Sequence, residues 1–376
     1  MHVLALCPHP EEARMAVSRL RETVPLAHDY TPAEFRQMPE VRAARWLPAR
    51  LRSIEHSIKH FRAIERVVRQ WEAESAVTGS EIFYACMYDW DFEHFRYAHP
   101  LLGKPWSGLC IRPADTPDHS RTSKGRRVTP YVDCISHDKK LRTLATLDEG
   151  IQNALAERVK RPVVVFPDFA DDRMPGSAIE SQLSERLRAF ARNRPIVGLF
   201  GHLQRSKGLT TFCAAAQEPS LADVCFAAGG EVDWLSFSPD ERRSLQSSLA
   251  DSHNVWTHFA RIPDEPRLNG LLATCSVLFA AYINFPHSSN ILAKAAVLEK
   301  PVVVSDRSLM AERVRRFRLG EVVPEGDVNA INAAILRMTR DLDAWVDEHK
   351  PDWQSYRRRH SFHSLKAAFS EIFPPA

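Results

Sequence analysis

No two of the seven cysteines stand in a C-x-x-C spacing, which removes the usual metal and redox motifs. Cys7, Cys86, Cys110, Cys134, Cys213, Cys225 and Cys275 are odd in number and set in apolar segments, so they read as buried free thiols of a reducing compartment. No apolar run is long enough to span a bilayer, and Met1 to Leu6 has the wrong flanks for a signal peptide. A formal charge of +3 is too small to indicate a nucleic-acid binder. The expected location is the cytoplasm.

What remains is a chain of 376 residues with 44% hydrophobic content, enough for two full cores. Strand and helix patterns alternate throughout, which predicts an α/β protein with parallel sheets. Val3 to Leu6 reads as a strand leading to a helix over Glu11 to Arg21. The loop between them holds no glycine, so a dinucleotide fingerprint is absent. Apolar residues from Leu47 to Trp71 recur at helical spacing, with arginines and lysines on the other faces. A basic amphipathic helix over 48–72 can lie on an anionic membrane. Glu55, Glu65 and Glu72 interrupt its basic face, so the stripe reads first as core and the charges as a solvated face.

Strands are expected at Ile82–Met87, Trp106–Ile111, Val132–Ile135 and Val163–Phe166. The loops after the first three carry Asp89, Asp91, His94, Arg112, His119 and His137-Asp138. Polar and aromatic residues at the carboxyl ends of strands line ligand clefts in open α/β sheets, although each loop alone also reads as ordinary polar surface. Pro167 to Ser177 reads as a linker, its acids a turn rather than a metal site, with the domain boundary near Asp172. Six further strands are expected at Ile196–Phe200, Val224–Ala227, Val255–His258, Val277–Ala280, Val302–Val304 and Glu321–Val323, with a helical tail from Arg340.

Two stretches of the second half carry chemistry. Gly198 to Gly208 joins a strand to a helix through glycines and places Lys207 where a phosphate would meet the loop. Ser288-Ser289-Asn290 begins a helix whose first N–H groups are free.

These stretches, taken together, resemble retaining GT-B glycosyltransferases of family four. Gly201-x-Leu203-x-x-x-Lys207-Gly208 is similar to that family's G-R-L-x-x-x-K-G element, Val165 to Asp168 to its linker, Asn254 to Tyr282 to its central block, and Ser289 to Asp306 to its nucleotide-sugar helix. The resemblance implies two Rossmann-like domains facing each other across a cleft: 1–172 on the acceptor side, 173–345 on the donor side, and helices 346–376 packing back on the first. It implies a nucleotide-sugar donor, a hydroxyl acceptor, no cofactor and no metal. Lys207 then holds the diphosphate, with Arg205 standing in for the family's arginine, whose position is His202. Gly201, His202, Arg261, Ile262, Ser288, Ser289, Asn290, Lys294 and Glu312 fall on the donor side; Asp89, Asp91, His94, Arg112 and His119 are assigned to the acceptor.

The family's E-x7-E pair falls on Pro286 and Lys294. A lysine cannot accept hydrogen bonds from ribose hydroxyls. Lys294 is expected to contact the donor, in preference to a structural pair with Asp306 or Glu312. Glycosyl transfer is the first expected function. A catalytically silent GT-B module binding a partner or glycan is the second, and a sugar-nucleotide epimerase the third.

Overall fold

The structure is a computed structural model. It describes residues 4–7, 10–23, 34–87, 97, 103–111, 114–115, 127–128, 130–136 and 138–374. The chain forms two compact units, one of 1–167 with 361–376 and one of 168–360.

In the first unit, β3 (Ile82–Met87), β4 (Trp106–Cys110), β7 (Leu141–Thr146) and β8 (Val163–Val165) form a parallel sheet in the order 3-4-7-8. A parallel pair, β1 (Leu4–Cys7) with β2 (Glu34–Gln37), and an antiparallel pair, β5 (Ala114–Asp115) with β6 (Arg127–Val128), lie outside it. Helix α1 covers Pro10–Thr23 and α2 covers Ala49–Ser75. The predicted stripe of α2 is core in its second half, where Phe61, Val68 and Trp71, with Ile64 between them, are buried with Trp106 and Leu141, whereas Leu51 at its start is exposed. Buried Glu65 accepts hydrogen bonds from the Gly103 N–H at 2.6 Å and from Arg69 at 3.0 Å. Helix α3 (Gln152–Val159) adds Leu155 and Val159 to the same core.

The strand expected at Val132–Ile135 is instead a 3₁₀ helix, Pro130–Cys134. Pro130 fixes φ near helical values at its start, and four residues that include Asp133 are too short a stretch to distinguish strand from helix. The strand follows later, at Leu141–Thr146, where Arg142 breaks the apolar pattern because it faces solvent.

The second unit holds a six-stranded parallel sheet in the order β11-β10-β9-β12-β13-β14. Its strands are β9 (Ile196–Phe200), β10 (Cys225–Gly229), β11 (Val255–His258), β12 (Val277–Ala280), β13 (Val302–Ser305) and β14 (Gly320–Val323). Relabelled within the unit this is 3-2-1-4-5-6, the doubly wound order, with its switch point between β9 and β12. The four inner strands are buried at every position, as expected for strands covered on both faces, while edge strands β11 and β14 are only partly buried.

Helices α4 (Ala178–Ala191), α5 (Leu209–Ala216), α6 (Pro239–Asp251), α7 (Glu265–Thr274), α8 (Ile291–Leu298), α9 (Leu309–Phe317) and α10 (Val328–Arg340) cover that sheet. Their starts follow from the sequence: Ser177, Asp264, Ser308 and Asp327 each accept an N–H of the first turn, and Ser238 with Glu241 forms a capping box on α6.

The tail is three helices, α11 (Leu342–His349), α12 (Trp353–Arg359) and α13 (Phe362–Ile372). Both expected boundaries shift. Asp168 and Asp171 belong to the second unit, and so do α11 and α12; only residues from Ser361 rejoin the first. The reason is packing. Trp345 and Tyr356 are buried in the second core, Tyr356 edge-on to Phe317 at 5.1 Å, whereas Phe369 and Phe373 pack on Phe83 in the first unit.

Of the cysteines, Cys110, Cys213, Cys225 and Cys275 are buried free thiols, and Cys134 is only half-buried. Burial pushes the Cys213 and Cys275 thiols up to about 12, so both stay protonated and inert at neutral pH. Among the described residues, no helix is long and apolar enough to cross a membrane.

Candidate functional site

The loops that leave β9 and β12 meet at the switch point of the second sheet. The β9 loop turns at Gly201, whose φ is +119°, and its N–H donates to the Gly229 carbonyl at 3.0 Å. Gly230 lies so close that a Cβ there would stand 1.8 Å from the Gly201 oxygen. Leu203 then forms a single parallel bridge with Val232. A 3₁₀ turn over Arg205–Lys207 leads to Gly208, at φ +74°, which starts α5.

The β12 loop is tied to this one. The Ile283 N–H donates to the Ser206 carbonyl at 2.9 Å. A Cβ on Gly208 would meet the Ala281 carbonyl oxygen at 2.6 Å, so only glycine permits this approach. The Lys207 ammonium lies over the rings of Tyr282, at 4.0 Å, and Phe285, at 4.7 Å. Tyr282 and Phe285 are themselves edge to face at 5.2 Å. Among the described residues no carboxylate pairs with Lys207. The ring faces hold the cation by their quadrupole without neutralising it, which leaves its charge available to an anion.

Arg205 is engaged elsewhere. Its Nε donates to Glu241 at 2.7 Å, and hydrogen bonds from Arg205 and then from the Ser238 N–H hold the Glu241 carboxyl below its usual range. Arg205 therefore braces the loop on α6. His202 and Arg261 are exposed, and Ile262 packs on the rim of the core.

Helix α8 begins at Asn290, which makes no side-chain cap, so its first turn relies on backbone alone; the Leu292 N–H donates to the Ser289 carbonyl. Ser288 faces the other way. Its hydroxyl donates to Asp168 and accepts from Arg313 Nη1 at 2.6 Å, and Arg313 reaches the same carboxylate at 3.4 Å. All three sit in the second unit; Arg313 is 1% exposed and Asp168 7%. The Asp168 N–H donates to His360 Nδ1 at 2.9 Å. Sequence reasoning missed Arg313 and His360, because a buried arginine in an amphipathic helix carries no distinguishing pattern.

Lys294 departs furthest from expectation. It is 3% exposed, and its ammonium donates to Glu265, to Asn269 Oδ1 at 2.8 Å and to the Asp171 carbonyl at 3.3 Å. All three protons have acceptors, so the expected donor contact gives way to a brace. Its partner is Glu265, not Asp306 or Glu312. Asp306 instead accepts the Glu325 N–H at 3.0 Å, and Glu312 is exposed on the first turn of α9. Asn269 also receives the segment after β8, donating to the carbonyls of Asp171 and Arg173. Burial alone would raise the Asp171 carboxyl, but hydrogen bonds from Arg173 outweigh it and leave it below its usual range.

Asp89, Asp91, His94, Arg112 and His119 lie outside the described residues.

Two parallel-sheet units, the second doubly wound, with facing loops at its switch point define a GT-B fold. Residues 194–341 match the family model described as Glycosyl transferases group 1. The resemblance read from the motifs thus holds over residues 194–341. The chain is similar in structure to sucrose-phosphate synthase from Thermosynechococcus elongatus, at 14% identity and a TM-score of 0.65 over 99% of this chain and 98% of that one. It is also similar to HepE from Anabaena, solved with UDP and glucose, at 13% identity and 0.63 over 99% and 98%. A third is WaaG, a glycosyltransferase involved in lipopolysaccharide biosynthesis, at 13% and 0.60 over 99% and 100%. No curated protein matches the sequence at a significant level.

Proposed function

We propose that the protein is a cytoplasmic glycosyltransferase that moves a sugar from a nucleotide-sugar donor to a hydroxyl acceptor, with retention and without a metal or cofactor. The observation that carries this is Lys207, a cation held by two ring faces at the switch point and left without a carboxylate. A leaving diphosphate needs positive charge, and Lys207 with the uncapped start of α8 at Ser289 and Asn290 supplies it. Asp168, which Ser288 contacts, is committed to Arg313, and Asp171 to Arg173, which fits neutralisation by the chain's own cation. The family-model match over residues 194–341 and the glycosyltransferase neighbours support the same reading. Gly201, His202, Arg261, Ile262 and Glu312 are assigned to the donor side on the motif alone, and Asp89, Asp91, His94, Arg112 and His119 to the acceptor. The free thiols fit a reducing compartment.

One observation favours a second reading, a silent GT-B module that binds a partner or glycan. The family's glutamates are absent, and Lys294 at one of their positions is consumed by internal contacts.

Titration calorimetry with UDP, the nucleotide bound in one structural neighbour, tests the site. Lys207→Ala should weaken UDP by about 1.5–3 kcal/mol, the range for a hydrogen bond to a charged group, and leave uridine unaffected. Equal losses for both would place Lys207 in folding rather than in phosphate binding. Release of UDP from a UDP-sugar with a hydroxyl acceptor present separates an enzyme from a silent module.

A further inference from the structure

The first unit presents a surface that the glycosyl-transfer reading does not use. Trp46 is 83% exposed and Leu51 51% exposed, on the turn that leads into α2 and on its first turn. Arg42, Arg45, Arg50 and Arg52 flank them in sequence, and no acid occurs between Val41 and Ile54. All four arginines are exposed.

The turn is tied down from behind. Arg52 Nη2 donates to the carbonyls of Arg45 and Leu47, each at 2.9 Å. The Ala44 N–H donates to Glu55 at 2.7 Å, and Lys59 reaches the Arg42 carbonyl at 3.4 Å. Glu55, on the helix side, is thus half-buried and paired with Lys59 at 2.8 Å, and the exposed Glu40 before Arg42 is the one other acid flanking the stretch. Arg42, Arg45 and Arg50 have no carboxylate partner among the described residues. Placing Arg50 and Arg52 on the first turn also opposes the helix dipole, and no acid offsets them there. A large indole held in water by an ordered turn, with exposed Arg42, Arg45 and Arg50 within four residues of it, buries little within this unit.

We propose that the Trp46–Arg52 turn is a docking surface for an anionic lipid membrane. The indole and Leu51 enter the boundary between headgroups and acyl chains, where an amphipathic ring is favoured. The arginines meet the negative surface, each contributing about 1 kcal/mol near it. Single-stranded nucleic acid is the competing occupant. It stacks successive bases on several aromatics, and this patch offers one. The proposal is independent of the donor site.

Flotation of the full chain with vesicles of phosphatidylglycerol and phosphatidylcholine, against phosphatidylcholine alone, tests it. Binding to the anionic vesicles only is expected, weakening from 50 to 300 mM salt. Arg45→Glu with Arg50→Glu should lower partitioning at least 30-fold, which is two contributions of about 1 kcal/mol converted. Trp46→Ala should lower it about tenfold. Both variants change exposed side chains, so their melting temperatures should match the wild type. No binding to anionic vesicles at 50 mM salt overturns the proposal, as does equal binding to neutral ones, or retention of wild-type binding by the variants. A single-stranded oligonucleotide that binds through Trp46 while vesicles do not would assign the surface to nucleic acid instead.

Discussion

The Lys294 ammonium donates to the Glu265 carboxylate across the packed faces of α8 and α7, and the same ammonium reaches the Asp171 carbonyl. One side chain thereby fastens two helices and the segment after β8. The position that the family reserves for an acid has become a clamp.

That clamp makes a stability prediction. Lys294→Met should lower stability by about 2–3 kcal/mol, below the 3–5 typical of a broken buried pair, because Glu265 is 42% exposed and keeps some water. Lys294→Glu should cost more, since it sets a second carboxylate against Glu265 and a carbonyl. Urea unfolding without ligand measures both. A stable Lys294→Glu variant with stronger UDP binding would return Lys294 to the donor site.

Arg313 and Asp168 form the second buried pair, and both are more than nine-tenths buried. Arg313→Met alone should cost about 3–5 kcal/mol by removing a positive charge from beside the buried Asp168 carboxylate. Arg313→Met with Asp168→Asn should recover part of that loss. The double-mutant cycle gives the coupling directly, and additive losses would show that the two are independent.

Glu72 and Lys104 provide the pH-dependent prediction. Hydrogen bonds from Lys104 and then from the Ser80 hydroxyl hold the Glu72 carboxyl at about 2. The folded value lies below the unfolded one, so the stabilisation is complete above about pH 4.5 and is lost as pH falls toward 2. Glu72→Gln should cost about 1–2 kcal/mol at pH 7, and its deficit should shrink as pH drops through that window. Denaturation at pH 7, 4 and 3 checks it. A deficit that does not change with pH would assign the effect to shape rather than charge.

The second sheet was legible because its strands are short, largely apolar and separated by helical patterns. All six expected strands appear within a few residues of their predicted bounds. In the first unit Leu141–Thr146 was hidden, since Arg142 and Thr143 interrupt a buried strand whose arginine happens to face water. The candidate site was legible at Lys207, where the glycine spacing dictates the loop. It was not legible at Ser288 or Lys294. Their roles depend on Arg313, Asp168 and Glu265, which are distant in sequence and meet only through tertiary packing. A motif fixes where a backbone turns, but not which way a serine hydroxyl rotates or which acid finds a lysine.

The discontinuity of the first unit has a consequence for biosynthesis. Residues 168–360 are continuous, so the second sheet and its helices can be completed as they leave the ribosome. The first unit has to wait. Phe83 and Phe166 stack at 5.8 Å and form one wall of a small core whose other wall is Phe369 and Phe373 on α13. Until that helix is synthesised, the four-stranded sheet carries an uncovered aromatic face while the unit after it is already folded. The middle of the chain can therefore be finished before its beginning, which is the order that pulse proteolysis during synthesis would be expected to show.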